Sequence, residues 1–199
     1  MNKKFIARLL ALAMVLSLVP VAFAATRPVY DEATGTYYYY VTDDTNGYVG
    51  GNPSTPAGVD VTTLPDEPTT EITEITVEGD KATLDVAVVD GVAYAVVTEE
   101  ALDVEVEGDT LTLVVKADGA DKVYVDLPGA ALAKLGKAVT MESDIATITI
   151  PATAMTGALK DAKTVTIAAA VSESGSYTIA VMADGKAVTK DVKGLVVAF

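Results

Sequence analysis

From Ala82 onward, apolar and polar side chains alternate with a period of two. Ala82, Leu84, Val86 and Val88 are interleaved with Thr83, Asp85 and Ala87. Leu111, Leu113 and Val115 alternate with Thr112 and Val114, and Val123, Val125 and Leu127 with Tyr124 and Asp126. Ala146, Ile148 and Ile150 alternate with Thr147 and Thr149; Val165 and Ile167, then Tyr177, Ile179 and Val181, continue the pattern. Successive side chains of a strand point to opposite faces, so this pattern gives one apolar and one polar face. It predicts a mainly β fold: an antiparallel, sandwich-like domain with half-buried strands. Turn pairs punctuate the runs at Gly79-Asp80, Asp90-Gly91, Gly108-Asp109, Asp118-Gly119, Ser174-Gly175 and Asp184-Gly185. The last sits between Ile179–Ala183 and Lys186–Val188 and is the clearest hairpin signal in the chain.

Two or three short helices are expected among these strands. Val123–Pro128 is followed by the Ala-rich stretch Ala130–Leu135, and Ala146–Pro151 by Thr153–Leu159. The two units, residues 123–141 and 146–167, form an internal repeat of strand, proline, short helix and strand. Proline is tolerated at a helix start because the first amides lack helical partners. Leu132 and Met155 each lie four places after their proline, and Leu135 and Leu159 extend the two stripes. Val97–Leu102, with Thr98 in the proline's place, is a candidate third copy. Helices this short do not stand alone, so they must cap the sheet they leave.

The N-terminal region reads differently. Residues 1–24 have a basic start (Lys3, Lys4, Arg8), an apolar run over Leu9–Val19, Pro20, and Ala22-Phe23-Ala24 as a cleavage site. This is the layout of a bacterial secretory signal peptide, and its apolar run is too short to span a bilayer. The expectation is a secreted or extracellular, cell-surface protein. Residues 25–71 are rich in Tyr, Thr and Pro and keep no apolar period, which predicts a flexible acidic arm before the β-rich domain of residues 72–199. Within the arm, Tyr37–Val41 has strand propensity between two turn-like segments, compatible with a small hairpin.

Composition excludes several function classes. Cleavage after Ala24 leaves 199 − 24 = 175 residues with 11 basic and 28 acidic side chains, a net charge of −17. That balance argues against nucleic acid and against insertion into or docking on anionic membranes. There is no cysteine, so an exported chain must hold together by burial and strand pairing. There is no histidine, which removes Ser-His-Asp and Cys-His catalysis and the usual zinc sites. No pattern calls for a cofactor or a metal. Asp44-Thr45-Asn46-Gly47 fails as a calcium loop: with Gly47 sixth, Thr42 falls first and Pro53 twelfth.

The order of strand, Leu127-Pro128, Ala-rich helix, Thr-patterned strand, Pro151 and second Ala-rich helix resembles the extracellular β-rich region of bacterial S-layer-homology surface proteins. Tyr177–Val181, Gly185–Val188 and Val192–Val197 are similar to the hairpin and last strand of that region. The likeness covers roughly residues 75–199 and rests on residue classes rather than on fixed side chains. It implies an exported envelope protein attached to wall polymers. The anchoring modules of that family have no counterpart here, and Leu64-Pro65-Asp66-Glu67 lacks the threonine of a sortase motif. The expectation is therefore a chain without its own wall anchor, or a fragment of a longer product.

Three segments are candidate sites. Tyr37, Tyr38, Tyr39, Tyr40 and Tyr48 supply rings that could stack on sugars; the alternatives are a plain strand or a template for edge pairing. Glu99, Glu100, Asp103, Glu105 and Glu107 are dense enough to supply an acid–base pair for glycoside hydrolysis. Glu105 and Glu107 alternate with Val104 and Val106, however, which places them on an exposed strand face. Leu195–Phe199 reads as a last core strand. The residues together point to a non-catalytic structural or adhesive module, not an enzyme, with wall polysaccharide or other surface proteins as partners. A glycan-binding module using the tyrosines is the alternative, and a wall-glycan hydrolase the third reading.

Overall fold

The computed structural model describes residues 29–31, 36–40, 59–173 and 175–199. The leader, the Asp44–Gly47 turn and Tyr48 lie outside the described residues. The chain begins with β1 (Val29–Asp31), β2 (Thr36–Tyr40), β3 (Thr70–Ile72), β4 (Val77–Glu78), β5 (Lys81–Asp85), β6 (Val88–Val89), β7 (Val92–Val97) and β8 (Thr110–Lys116). It continues through β9 (Lys122–Pro128), helix α1 (Gly129–Leu135), β10 (Ala138–Glu142), β11 (Thr147–Ile150) and a 3-10 turn at Ala152–Thr156. β12 (Thr164–Val171), β13 (Ser176–Ala183), β14 (Lys186–Ala187), a second 3-10 turn at Thr189–Asp191 and β15 (Val196–Ala198) complete it.

The strands form two sheets packed face to face. One runs β1-β2-β13-β12-β9-β7-β3, with β14 beside β13 and β6 beside β7; the other runs β15-β11-β10-β8-β5-β4. The fold is mainly β and sandwich-like. Its sheets are mixed rather than purely antiparallel: β3–β7, β7–β9, β5–β8 and β8–β10 are parallel ladders. The chain passes from sheet to sheet between β7 and β8, between β8 and β9, and between β9 and β10. Strands separated by one such excursion return in the same direction, so they pair in parallel. Asp118-Gly119 thus turns the chain between sheets and closes no hairpin. Asp184-Gly185 does close one, as expected: both residues have positive φ (50° and 75°), and Ala183 pairs with Lys186. Asp90-Gly91 does the same between Val89 and Val92.

The alternating apolar positions fill the space between the sheets. Leu84, Leu111, Leu113, Val125, Leu127, Met141, Ile148, Ile150, Ile167 and Ile179 are at most 1 % exposed. The repeat units close one end of this core. β7 and β9 run parallel, while β11 and β12 are each antiparallel to a neighbour, so the connections leaving β7, β9 and β11 emerge at the same end. Leu132 and Met155 are both buried there, and α1 packs against the 3-10 turn. The third copy reduces to one turn: the Leu102 amide donates to the Thr98 carbonyl, and the Ala101 amide to Thr98 Oγ1. Leu102, four places after Thr98, is buried as its counterparts are.

The second unit forms a 3-10 turn where its sequence suggests a helix. Ala154 donates to Pro151 and Gly157 to Ala154, both spaced at i→i+3. Thr156 Oγ1 donates to the Thr153 carbonyl and competes with helix propagation. In the first unit α1 ends at Gly136, whose left-handed φ of 64° lets its amide reach Leu132. Gly129, at the other end of α1, is enclosed by backbone: its amide donates to the Lys163 carbonyl at 2.8 Å.

Part of the stretch set apart as an arm enters the sheet. β1 and β2 pair antiparallel, the hairpin that the tyrosine run allowed, and β2 pairs with β13. At the opposite edge β3 pairs with β7. Between them, residues 59–64 lie on the outer face of the nine-stranded sheet. Val61 is fully buried there among Tyr94, Tyr124, Ala168, Ala170, Ala180 and Met182. These short segments carry no apolar period because the sheet edge and face they join supply the partners. Leu195–Phe199, expected as a core strand, instead places β15 at the edge of the six-stranded sheet beside β11. Val196 and Phe199 are exposed, and the Phe199 ring lies 4.8 Å from that of Tyr177. No described helix is long and apolar enough to cross a membrane.

Candidate functional site

The tyrosine run lies along β2. Tyr37 to Tyr40 stand opposite Ile179, Thr178, Tyr177 and Ser176 of β13 in the ladder register. Tyr37 is half-buried and packs against the main core, so its ring contributes to the sandwich. Tyr48 lies outside the described residues.

The carboxylates gather at the capped end. Glu99, Glu100, Asp103 and Glu105 line an open groove of about 610 Å³ between the Thr98–Leu102 turn and α1. Glu107 is not part of its wall. Leu102, Val104, Val106, Ala131 and Leu135 supply apolar surface. The stretch from Asp103 to Val106 keeps the alternation seen in sequence, with Glu105 exposed and Val106 buried, but belongs to no strand ladder. Both lysines of the groove are engaged. Lys134 Nζ lies 2.7 Å from Asp103 Oδ1, and Lys137 Nζ donates to the carbonyls of Val106 and Gly108. No cluster of acidic residues suited to a metal ion occurs among the described residues.

A buried polar group on the outer face of the nine-stranded sheet escaped the sequence reading. Asp126 on β9 accepts hydrogen bonds from Tyr94 Oη on β7 (2.7 Å) and Thr166 Oγ1 on β12 (2.6 Å). The carboxylate thus ties three neighbouring strands together. Burial, then the hydrogen bond and charge of Asp126, push the Tyr94 phenol well above its ordinary range. Tyr124 meets the Tyr94 ring edge-on at 5.9 Å; burial, followed by the charge of Asp60, raises its pKa to about 12. Asp60 organises the covering segment. Its carboxylate accepts from the Thr62 amide and from Thr62 and Thr63 hydroxyls. Partial burial pushes the Asp60 pKa up, but these hydrogen bonds together outweigh it and hold the carboxyl below the ordinary aspartate range. Period-two reasoning assigns Asp126 to the solvated face, but that face also packs Val61 against Tyr94 and Tyr124, and Asp126 is only 8 % exposed.

Fold and surfaces define a β-sandwich with an end-on groove, an aromatic strand near one sheet edge and a buried three-strand carboxylate clamp. The chain matches no protein-family model, no curated protein and no solved structure.

Proposed function

We propose that this chain is a non-catalytic structural or adhesive module of a bacterial envelope protein, exported and displayed at the cell surface. The observation that carries the reading is how the body is held together. A cysteine-free chain closes an aliphatic core between two sheets, caps one end with α1 and two short turns and clamps β7, β9 and β12 through Asp126. Such a body keeps its shape by burial and strand pairing alone, as an exported protein without disulfides must. The secretory leader read in residues 1–24, the excess of acidic side chains and the resemblance to S-layer-homology surface proteins support the same reading.

Expression of the tagged chain in a Gram-positive host tests it. The expected outcome is processing after Ala24 and recovery in the medium or on the surface, where external protease reaches the tag. An unprocessed chain retained in the cytoplasm overturns the proposal. Turnover of wall glycan by the purified protein, abolished by replacing a groove carboxylate, would replace it with the hydrolase reading.

A further inference from the structure

The hydrogen bonds of the six-stranded sheet fix which way the backbone of its last strand points. The Ala138 amide donates to the Asp109 carbonyl, so β10 bonds toward β8 through Ala138, Thr140 and Glu142 and toward β11 through Val139 and Met141. The bond from the Ser143 amide to the Ala146 carbonyl continues that alternation. Met141 stands opposite Ile148, so Ile148 bonds to β10, while Thr147 and Thr149 bond to β15. Their partners there are Ala198 and Val196. The N–H and C=O of Val197, between those two, therefore point away from the sheet. β15 ends the sheet on that side, and no other described residue bonds this amide or carbonyl.

Side chains mark the same edge. Three large apolar side chains are exposed among the described residues, and two of them, Val196 (59 %) and Phe199 (46 %), lie on or beside β15. Leu195–Phe199 carries no charge and no proline. Of the four strands that end the two sheets, the other three carry a carboxylate: Asp31 on β1, Glu71 on β3 and Glu78 on β4. Two copies meeting at any of those edges would set like charges together. Charge on an end strand is how folded proteins keep sheets from joining edge to edge, and β15 lacks it.

We infer that β15 is a self-association edge: two copies of this chain pair their β15 strands antiparallel about Val197 and join their six-stranded sheets into one. A two-fold contact suits this strand, because the same uncharged, apolar stretch stands on both sides. The Val197 amide of each copy donates to the Val197 carbonyl of the other, and Val196 stands opposite Ala198 of the second copy. The contact is small, so the dimer is weak and reversible. The inference does not depend on where the protein resides.

Cysteine trapping tests the register on the whole protein, which has no cysteine of its own. A chain carrying Val196→Cys is mixed with a differently tagged chain carrying Ala198→Cys under mild oxidation. Opposed residues of an antiparallel pair have Cα atoms about 4.5–5.5 Å apart, within reach of a disulfide. The mixed dimer should form at least about 10-fold faster than the one between Val196→Cys and Val89→Cys, since pairing raises the local thiol concentration only at the opposed site. Val89 is the third exposed apolar side chain and lies on β6, in the other sheet. Sedimentation velocity from micromolar to millimolar concentration measures the dimer itself. Association should strengthen as salt is raised, because two chains of net charge −14 repel each other. Val196→Lys should weaken it about 5–10-fold by placing a charge at both symmetry-related positions of the contact. Val89→Lys changes the net charge equally and should not weaken it. A monomer at every concentration, a dimer untouched by Val196→Lys, or equal trapping by Val89→Cys would overturn the inference.

Discussion

Replacing Gly129 by alanine pits two physical effects against each other. Helix propensity favours alanine by about 1 kcal/mol, because glycine loses more backbone freedom on folding. Gly129 opens α1 with an ordinary negative φ, so nothing in its own backbone resists the change. The surroundings do. A Cβ there would lie 1.9 Å from the Ala162 carbonyl oxygen and 2.9 Å from its carbon. Ordinary carbon–oxygen approach is about 3.3 Å, so one backbone must retreat by more than about 1 Å. Neither neighbour is a flexible side chain that could swing aside. Overpacking of this kind costs about 1–3 kcal/mol, and separating Gly129 from Lys163 exposes or strands a backbone hydrogen bond worth about 1 kcal/mol more. The net expectation is a loss of about 1–3 kcal/mol, or about 2–12 °C in Tm for a chain of this size. Urea unfolding followed by far-UV circular dichroism and tyrosine fluorescence measures it; the chain has no tryptophan to complicate the signal. Gly119→Ala is the comparison: its φ is +78° but space is open around it, so only the backbone penalty of about 1 kcal/mol applies. An unchanged or raised midpoint for Gly129→Ala would refute the packing of α1 against the Ala162–Lys163 backbone.

Leu132→Ala and Met155→Ala each empty an equivalent buried position beneath the end caps and should each cost about 2–5 kcal/mol by equilibrium unfolding; a surface-like effect at either would break the equivalence of the two units. Asp126→Ala leaves the buried Tyr94 and Thr166 hydroxyls without their acceptor and should destabilise by about 2–4 kcal/mol, whereas a change within about 0.5 kcal/mol would mean that solvent already reaches the clamp. Tyr94 and Tyr124 have folded pKa values above the unfolded value of 10.0, so above pH 10 the unfolded chain gives up protons that the folded one keeps. Their contribution is full below pH 10 and is lost as pH climbs toward 12. Spectrophotometric titration of the tyrosinate band should show two late-ionising tyrosines coupled to unfolding, and ionisation of every tyrosine near pH 10 in the folded state would count against the buried pair.

The core and the end caps were legible in the sequence for the same reason. Each rests on local periodicity: two for strands such as Lys122–Pro128, and a fixed offset from Pro128, Pro151 or Thr98 for the buried Leu132, Met155 and Leu102. What failed to show was every feature created by a distant partner. The strand propensity of the tyrosine run cannot reveal which edge it joins, and the pairing of Tyr37–Tyr40 with Ser176–Ile179 spans most of the chain. Val61 carries no periodic signal, yet it is fully buried on the outer face of the sheet beside Tyr94, a hydrogen-bond partner of Asp126. Parallel ladders were hidden because alternation is identical in parallel and antiparallel strands; direction follows from which sheet each connection enters. The groove was half visible: its carboxylates were evident as a dense cluster, but the wall supplied by Ala131, Leu135 and the two engaged lysines depends on α1 folding back over the Thr98–Leu102 turn.

Interstrand nuclear Overhauser contacts in the isotopically labelled protein test the sheet-to-sheet path most directly. A simple meander would place Thr110–Lys116 beside Lys122–Pro128, joined by Asp118-Gly119. The two-sheet arrangement predicts instead that Val125 contacts Ala95 in a parallel ladder and Ile167 in an antiparallel one, while Leu113 contacts Met141 and Ala82. Backbone contacts between Thr110–Lys116 and Lys122–Pro128 in one ladder would contradict it.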